Sequence, residues 1–333
     1  MISSPYFHPY EFDLYTINNA VVDSGRHVVI SGESPYSDKE ICNRLQSLSI
    51  SKYNKAIESS IYQTDVEILK ADDVLYVPTY WNFYHCIIDG LPRAYAAFGD
   101  RKLDLVLSDY IKAYNKVYEA VIPWLPCNSL ATYPIHLNKR IDYSTNSRLI
   151  ANKMSFLSTT ASSKEPMDIR HINKRIALAF WHRFADDHWP KKAPTKKLFI
   201  RRTINNPKNN TRCRNQDEVF DYLSKYHGFE SWDPTNHTFV ETAMTFSEAS
   251  FIVGVHGAAL SSIAFCQHGT KVIELISMGG KSTAFFGPLA KPGGFKYAQL
   301  VGYLPGKSKK RPKDFDDEFN INISELASLV GSF

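Results

Sequence analysis

Asn82, His85 and Asp89 stand three and four residues apart in NFYHCIIDGLPR, residues 82–93. On a helix those spacings put all three side chains on one face. Their neighbours Phe83, Tyr84, Cys86, Ile87, Ile88 and Leu91 are apolar, so the face is a polar stripe on an apolar helix. Two readings stay open. One is a buried network whose members satisfy one another's hydrogen bonds. The other is a His–Asp pair in which one group takes a proton from a hydroxyl. General-base work wants a group tuned close to the operating pH, and a neighbouring charge can do the tuning. Pro92 ends or kinks such a helix and places Gly90–Arg93 at a cleft edge.

A second group lies in FIVGVHGAALSS, residues 251–262. An apolar strand runs into His256-Gly257-Ala258, and small residues including Ser261 then start a helix. An α/β sheet offers backbone N–H groups and a positive helix end to phosphate in this way. Gly257 lets the backbone approach a ligand closely, and His256 is placed to touch a phosphate or a ribose. The plain alternative is a tight strand-to-helix turn. Arg201 and Arg202 end a strand, and Arg212 follows in a loop rich in Asn and Pro. Ligands of open α/β sheets sit beyond strand ends, and guanidinium forks match phosphate oxygens. A solvated basic loop is the competing account. Glu274, inside KVIEL, either binds ribose or sugar hydroxyls or caps the next turn.

The elements that must position these groups alternate. In the first half, Val74–Pro78 and Leu103–Leu107 read as strands. Residues 83–98, Tyr110–Leu125 and Met167–Phe184 read as helices from their 3–4 residue apolar spacing. Residues 1–70 read as short strands and irregular loops. The stretch 186–197, DDHWPKKAPTKK, has two prolines, four lysines and no apolar period. It reads as a linker between domains 1–188 and 189–333. In the second half, strands at 198–200, 229–232, 251–255 and 271–276 alternate with helices. Asn215 and Glu218 form an approximate capping box for one helix, which Gly228 stops. Strands alternating with helices of this length give parallel, doubly wound sheets. The expected class is therefore α/β, with two Rossmann-like domains facing across a cleft.

Composition excludes other classes. The 333 residues are 44% hydrophobic and 22% charged, enough for a sizeable core and against disorder. Net charge is +5, and the basic clusters at 191–202 and 307–313 are too few for a nucleic-acid footprint. Five widely spaced cysteines, Cys42, Cys86, Cys127, Cys213 and Cys266, lack zinc or disulfide spacing. The expectation is no metal, no membrane span, no signal peptide, and a soluble, cytoplasmic chain. Gly279-Gly280-Lys281-Ser282 imitates the end of a phosphate loop, but Leu275 stands where the earlier glycine is required. Asp314-Phe315-Asp316, a pattern that metal-dependent transferases use, lies in the hydrophilic stretch KSKKRPKDFDDEF and reads as a solvated face. GxSxG, HExxH and GxGxxG do not occur, which speaks against a serine hydrolase, a zincin and an ordinary Rossmann dehydrogenase.

Three stretches in order carry a resemblance. Asn82-x-x-His85-x-x-x-Asp89-x-x-Pro92-Arg93 resembles the amino-terminal signature of glycosyltransferase family 61. Leu198-Phe-Ile-Arg-Arg202 with Arg212 and Asn215-Gln-Asp-Glu218 is similar to that family's arginine motif. Residues 246–276 are similar to its carboxyl-terminal signature. Arg201 stands where a serine is frequent, and Glu241-Thr242 about where a glutamine is frequent. The resemblance implies a GT-B fold and inverting transfer from a UDP-sugar to a glycan or glycoprotein hydroxyl, without metal or other cofactor. Xylose or N-acetylglucosamine is the favoured sugar. Residues 1–188 would then be the acceptor-side domain. Residues 189–333 would bind the nucleotide sugar, with the tail packing back on the first domain. Arg201, Arg202, Arg212, His256, Gly257, Ala258, Ser261 and Glu274 would contact the donor, and Asn82 and Arg93 would orient the acceptor. Asp89 is preferred as base with His85 as its partner; the reverse pairing also fits. Alternatives are a polysaccharide pyruvyl transferase and a degenerate glycan-binding protein of the same fold.

Overall fold

The computed structural model describes residues 14–23, 28–33, 67–76, 83–92, 103–108, 115–121, 124, 137–143, 147–157, 169–202, 212–277, 285–306, 310, 312 and 317–333. The chain divides into two compact units, one of Phe7–Ile176 and one centred on Ala177–Phe333.

The first unit carries strands β1 (Leu14–Asp23), β2 (Val28–Glu33), β3 (Glu67–Tyr76) and β4 (Leu103–Ser108). Helix α1 (Asn115–Val121) and strands β5 (Leu137–Tyr143) and β6 (Ser147–Leu157) complete it. The strands form one sheet in the order β2-β1-β6-β3-β4-β5. Pairs β3·β6, β3·β4 and β4·β5 are parallel. Pairs β1·β2 and β1·β6 are antiparallel. This sheet is therefore mixed, where the sequence pattern predicted a wholly parallel one. The physical reason is local. Only four residues separate Asp23 from Val28, and a connection that short joins antiparallel strands, since a parallel return needs a long crossover.

Helix α2 (Ile169–His188) ends in the second unit. There follow β7 (Lys196–Ile200), α3 (Gln216–His227), β8 (Glu230–Trp232), α4 (Phe239–Ser247), β9 (Ala249–Val255), a 3-10 helix (Ala258–Phe265) and β10 (Lys271–Ile276). Helix α5 (Gly287–Gly293), β11 (Lys296–Val301) and α6 (Ile323–Gly331) close the chain. The sheet order is β11-β10-β9-β7-β8, and every pair is parallel. Buried parallel strands read as unbroken apolar runs, as in FIVGV and KVIELI. The chain steps from β7 outward to β8, then crosses back to β9 and continues to β11. The order thus reverses between β7 and β9, and ligands of open α/β sheets bind at such a switch point.

Local chemistry shapes the helices of this unit. Helix α3 has Asp217 and Glu218 in its first turn and Lys225 and His227 in its last, matching its dipole. Gly228 ends it at φ 70°, with its N–H donating to Leu223 and Ser224; a left-handed residue there favours glycine. Helix α4 starts at a capping box of Thr238 and Glu241. The end of α2 packs on the 3-10 helix: Trp181 lies edge-on to Phe265, with ring centroids 4.9 Å apart. His182 Nε2–H donates to the Cys266 carbonyl at 2.8 Å. Burial holds the His182 pKa below its ordinary value.

The predicted linker begins later than expected. α2 runs to His188, and Lys196 and Lys197 already belong to β7. Thr195 and Lys196 N–H groups donate to the Glu248 carbonyl. The tail contributes to the core of this unit. Phe319, Ile321, Leu326 and Val330 join Phe199, Val253 and Ile273 in one core. Phe319, the last residue of the hydrophilic stretch KSKKRPKDFDDEF, is fully buried, a contribution of about 1.5–3 kcal/mol.

Candidate functional site

The carboxyl ends of β7 and β9 bring four predicted residues together. Arg202 Nη1 donates to the His256 carbonyl oxygen at 3.4 Å, and Arg212 Nη1 donates to the same oxygen at 3.2 Å. Two guanidinium charges thus converge at the switch point. Like charges this close repel, and an anion with several oxygens bound between their forks would offset that repulsion.

Gly257 explains how Arg202 fits. Its backbone is extended, with φ 170°, so no unusual torsion demands glycine. The demand is for space. A Cβ there would lie 2.7 Å from Arg202 Nη1. The close approach that sequence reasoning assigned to a ligand is made by the arginine. Ala258 opens the 3-10 helix, where Leu260 N–H donates to the Gly257 carbonyl at 3.0 Å. Ser261 is buried, and its hydroxyl donates to the Ala258 carbonyl at 2.6 Å. Ser262 is also buried, and its hydroxyl has no hydrogen-bond partner among the described residues.

The four residues that open α3 hold this arrangement. Gln216 accepts from the Arg202 N–H at 3.3 Å and donates to the Arg202 carbonyl at 3.2 Å. Asp217 takes the Arg201 guanidinium at 2.5 Å. Asn215 accepts from Ile321 N–H at 2.8 Å and donates to the Ile321 carbonyl at 2.9 Å. Its amide also donates to Glu218 at 3.1 Å. The predicted Asn215–Glu218 capping box does not form, because Asn215 makes no side-chain cap bond; its amide is committed to the tail.

Arg201 is held apart from the convergence at His256. Its guanidinium lies over the Phe220 ring at 5.2 Å and against Asp217. Its Nε is buried without a partner among the described residues. Glu241, where the resembling family often has glutamine, is the third residue of the α4 capping box. Its carboxylate accepts from Thr238 N–H at 2.7 Å, and glutamine would serve there equally. Arg212 adopts φ 55°, an uncommon conformation for a non-glycine residue. Phe319 N–H donates to the Arg212 carbonyl at 2.7 Å, and Arg214 N–H donates to Phe319 at 2.9 Å.

Glu274 is fully buried and meets protein donors on both oxygens. His256 Nδ1 and the Tyr297 hydroxyl approach it closely, and Gln299 donates to it at 2.8 Å. Burial, then the Glu274 charge, pushes the Tyr297 pKa well above its ordinary value, so its hydroxyl stays a donor. Sequence reasoning missed Tyr297 and Gln299 because β11 carries no strong apolar run.

In the first unit, His85 and Asp89 share one helical turn, His85–Gly90, wound as a π-helix. Leu91 N–H donates to the Cys86 carbonyl five residues back. Such turns are rare and occur often at functional sites. The His85 ring lies edge-on to Tyr84 at 5.1 Å, and Cys86, Ile87 and Ile88 are fully buried. Asn82, Arg93 and Asp314–Asp316 lie outside the described residues.

No helix among the described residues is long and apolar enough to cross a membrane. A family model described as Glycosyltransferase 61 matches residues 83–273, more than half of the chain. That range contains both the His85–Asp89 turn and the arginine–His256 convergence. No curated protein matches the chain.

Proposed function

The chain belongs to the glycosyltransferase 61 family, and on that premise we propose that it moves a sugar from UDP to a glycan hydroxyl with inversion, without metal, in the GT-B architecture. The observation that carries the reading is the convergence of Arg202 and Arg212 on the His256 carbonyl. Two fixed guanidinium groups supply the positive charge that a departing diphosphate needs, the task a metal ion performs elsewhere.

The reaction is one displacement. The acceptor oxygen forms a bond to the anomeric carbon while the bond from that carbon to the diphosphate oxygen breaks. The electron pair leaves on UDP, and the acceptor proton passes to Asp89 or His85. Arg202, Arg212 and the His256–Ala258 turn take the diphosphate. Ser261 supports that turn through the Ala258 carbonyl, Arg201 braces the start of α3 through Asp217, and Asn82 and Arg93 orient the acceptor. Xylose and N-acetylglucosamine are the first donors to test. The acceptor is a glycan, glycoprotein or polysaccharide, and no nucleic acid takes part.

A thermal-shift screen with and without EDTA tests this. UDP at 100 times its dissociation constant should stabilise the protein by about 2.7 kcal/mol, and EDTA should leave the shift unchanged. Turnover of a UDP-sugar with an inverted anomeric product completes the case. No response to any uridine nucleotide would overturn it, and a response to phosphoenolpyruvate instead would point to pyruvyl transfer.

A further inference from the structure

Glu274 stands among Val272, Ile273, Leu275 and Ile276 on β10, and its surroundings are unusual for a carboxylate. It is directly opposite Gln299 in the β10·β11 register. Tyr297, two residues earlier on β11, shares that face of the sheet. Both side chains donate to the same oxygen, Oε2. The other oxygen, Oε1, meets His256 Nδ1, just beyond the end of β9. A fully buried carboxylate is costly unless donors surround it, and here three side chains from two other segments do so.

We infer that Glu274 is a positioning residue for the transfer reaction: with Tyr297 and Gln299 it fixes the His256 imidazole so that Nδ1 carries the proton and Nε2 is left to accept from a ribose or sugar hydroxyl of the bound donor. Tyr297 and Gln299 donate to Oε2, and a carboxylate can only accept, so His256 presents Nδ1–H to Oε1. A carboxylate that fixes the tautomer and orientation of an imidazole recurs at metal and catalytic sites. Phe286, buried, and Phe285 flank the ring with centroids 5.4 Å and 5.7 Å away, which limits its rotation. The arginines grip the backbone of His256 while Glu274 grips its ring, so the residue is held from two sides. This inference deepens the UDP-sugar reading and rests on it for the role of Nε2. The tautomer does not depend on that reading.

The experiment has two arms. Nitrogen NMR of histidine-labelled wild-type protein, with His256→Gln as the assignment control, should show His256 with Nδ1 protonated. An Nε2-protonated neutral ring would overturn the proposal. The second arm measures UDP-sugar kinetics of E274Q, H256Q and the double variant. E274Q keeps the shape and removes the charge. Its kcat should fall by about 10-fold or more, as when the outer partner of a ligating histidine is removed, with KM changed much less. In the H256Q background the same change should cost little, because the residue it positions is gone. Equal losses in both backgrounds, or wild-type kcat in a folded E274Q, would make Glu274 structural only. Should E274Q fail to fold, Tyr297→Phe weakens the same chain and is read in the same cycle. A wild-type protein that neither binds UDP nor turns over a UDP-sugar, yet shows the Nδ1 proton, would sink the functional reading and leave the Glu274–His256 link standing.

Discussion

The side chain of Gln216 pairs with the backbone of Arg202 in both directions, at 3.3 Å and 3.2 Å. The first residue of α3 thereby continues the edge of β7 after its last sheet residue, Ile200. A backbone leaving a sheet needs partners for its polar groups, and Gln216 supplies both. The consequence is functional as well as structural. The Arg202 guanidinium can sit against Gly257 only if its backbone is held at this point. Gln216→Ala removes two hydrogen bonds worth about 0.5–1.5 kcal/mol each. It should lower unfolding free energy in urea by about 1–3 kcal/mol and weaken UDP binding by calorimetry. Gln216→Glu keeps the acceptor, loses the donor, and should fall between.

Asn215 does for the tail what Gln216 does for β7. Its amide brackets Ile321, and Phe319 donates to Arg212, whose φ is positive. Such a conformation persists when surrounding structure over-determines it. Asn215→Ala should therefore loosen residues 317–321 and the Arg212 loop together. Hydrogen exchange should show faster exchange at the amides of Arg214, Phe319 and Ile321, while the amides of β9 and β10 stay protected. UDP affinity should fall alongside.

Gly257→Ala separates space from backbone strain. Alanine adopts the extended φ of 170° without cost, but its Cβ would lie 2.7 Å from Arg202 Nη1. The guanidinium must move, and misplacements of about 1 Å at a reacting centre cost up to about 100-fold. The expected result is a folded protein with nearly unchanged melting temperature, turnover of a UDP-sugar lower by about 10-fold to 100-fold, and weaker UDP binding. Unchanged UDP affinity would detach Arg202 from the diphosphate.

These residues show what was legible in the sequence. β9 and β10 were legible because a buried parallel strand is an unbroken apolar run. The ends of β7 and β9 were legible because arginines and a His-Gly pair stand there. Glu274 was visible, but its purpose was not. Its partners Tyr297 and Gln299 lie 23 and 25 residues away, on a strand, KYAQLV, whose polar and apolar residues do not alternate cleanly. Phe319 was hidden because charged residues precede it in sequence while the core claims it in space. The mixed sheet of the first unit could not be seen either, because residues 1–70 gave no strand boundaries from which the short connection between β1 and β2 could be read. Asn215 looked like a cap because its type suits one; only the position of the tail shows that its amide is used elsewhere.

Acid stability follows from two glutamates of α4 and its end. Glu248 accepts from Lys196 and Lys192 at 3.0 Å each, and those bonds hold its carboxyl below the usual range. Thr238 does the same for Glu241. A folded-state pKa below the unfolded value contributes stability that is present above the unfolded value of 4.5 and lost as pH falls through the folded one. The melting temperature should therefore drop on acidification below that value, and Glu248→Gln should lower it at neutral pH while flattening the acid limb. A Glu248→Gln curve parallel to wild type would show that this carboxylate contributes nothing to the acid transition.

The proton acceptor is tested on the π-helical turn. His85 and Asp89 share that turn, and a base near its operating pH contributes about 10²–10⁴-fold to turnover. His85→Ala and Asp89→Asn should each cut kcat by that order while UDP binding by calorimetry stays within about twofold, since the proposed donor-binding groups are Arg202, Arg212 and His256 in the other unit. Asp89→Asn keeps the shape and removes the carboxylate. If Asp89 is the base, this variant loses the full factor and His85→Ala loses less. If His85 is the base oriented by Asp89, the order reverses, because an asparagine can still hold the ring and an alanine cannot take a proton. A loss of UDP binding in either variant would give the turn a part in donor recognition. Full turnover in both would remove it from the mechanism.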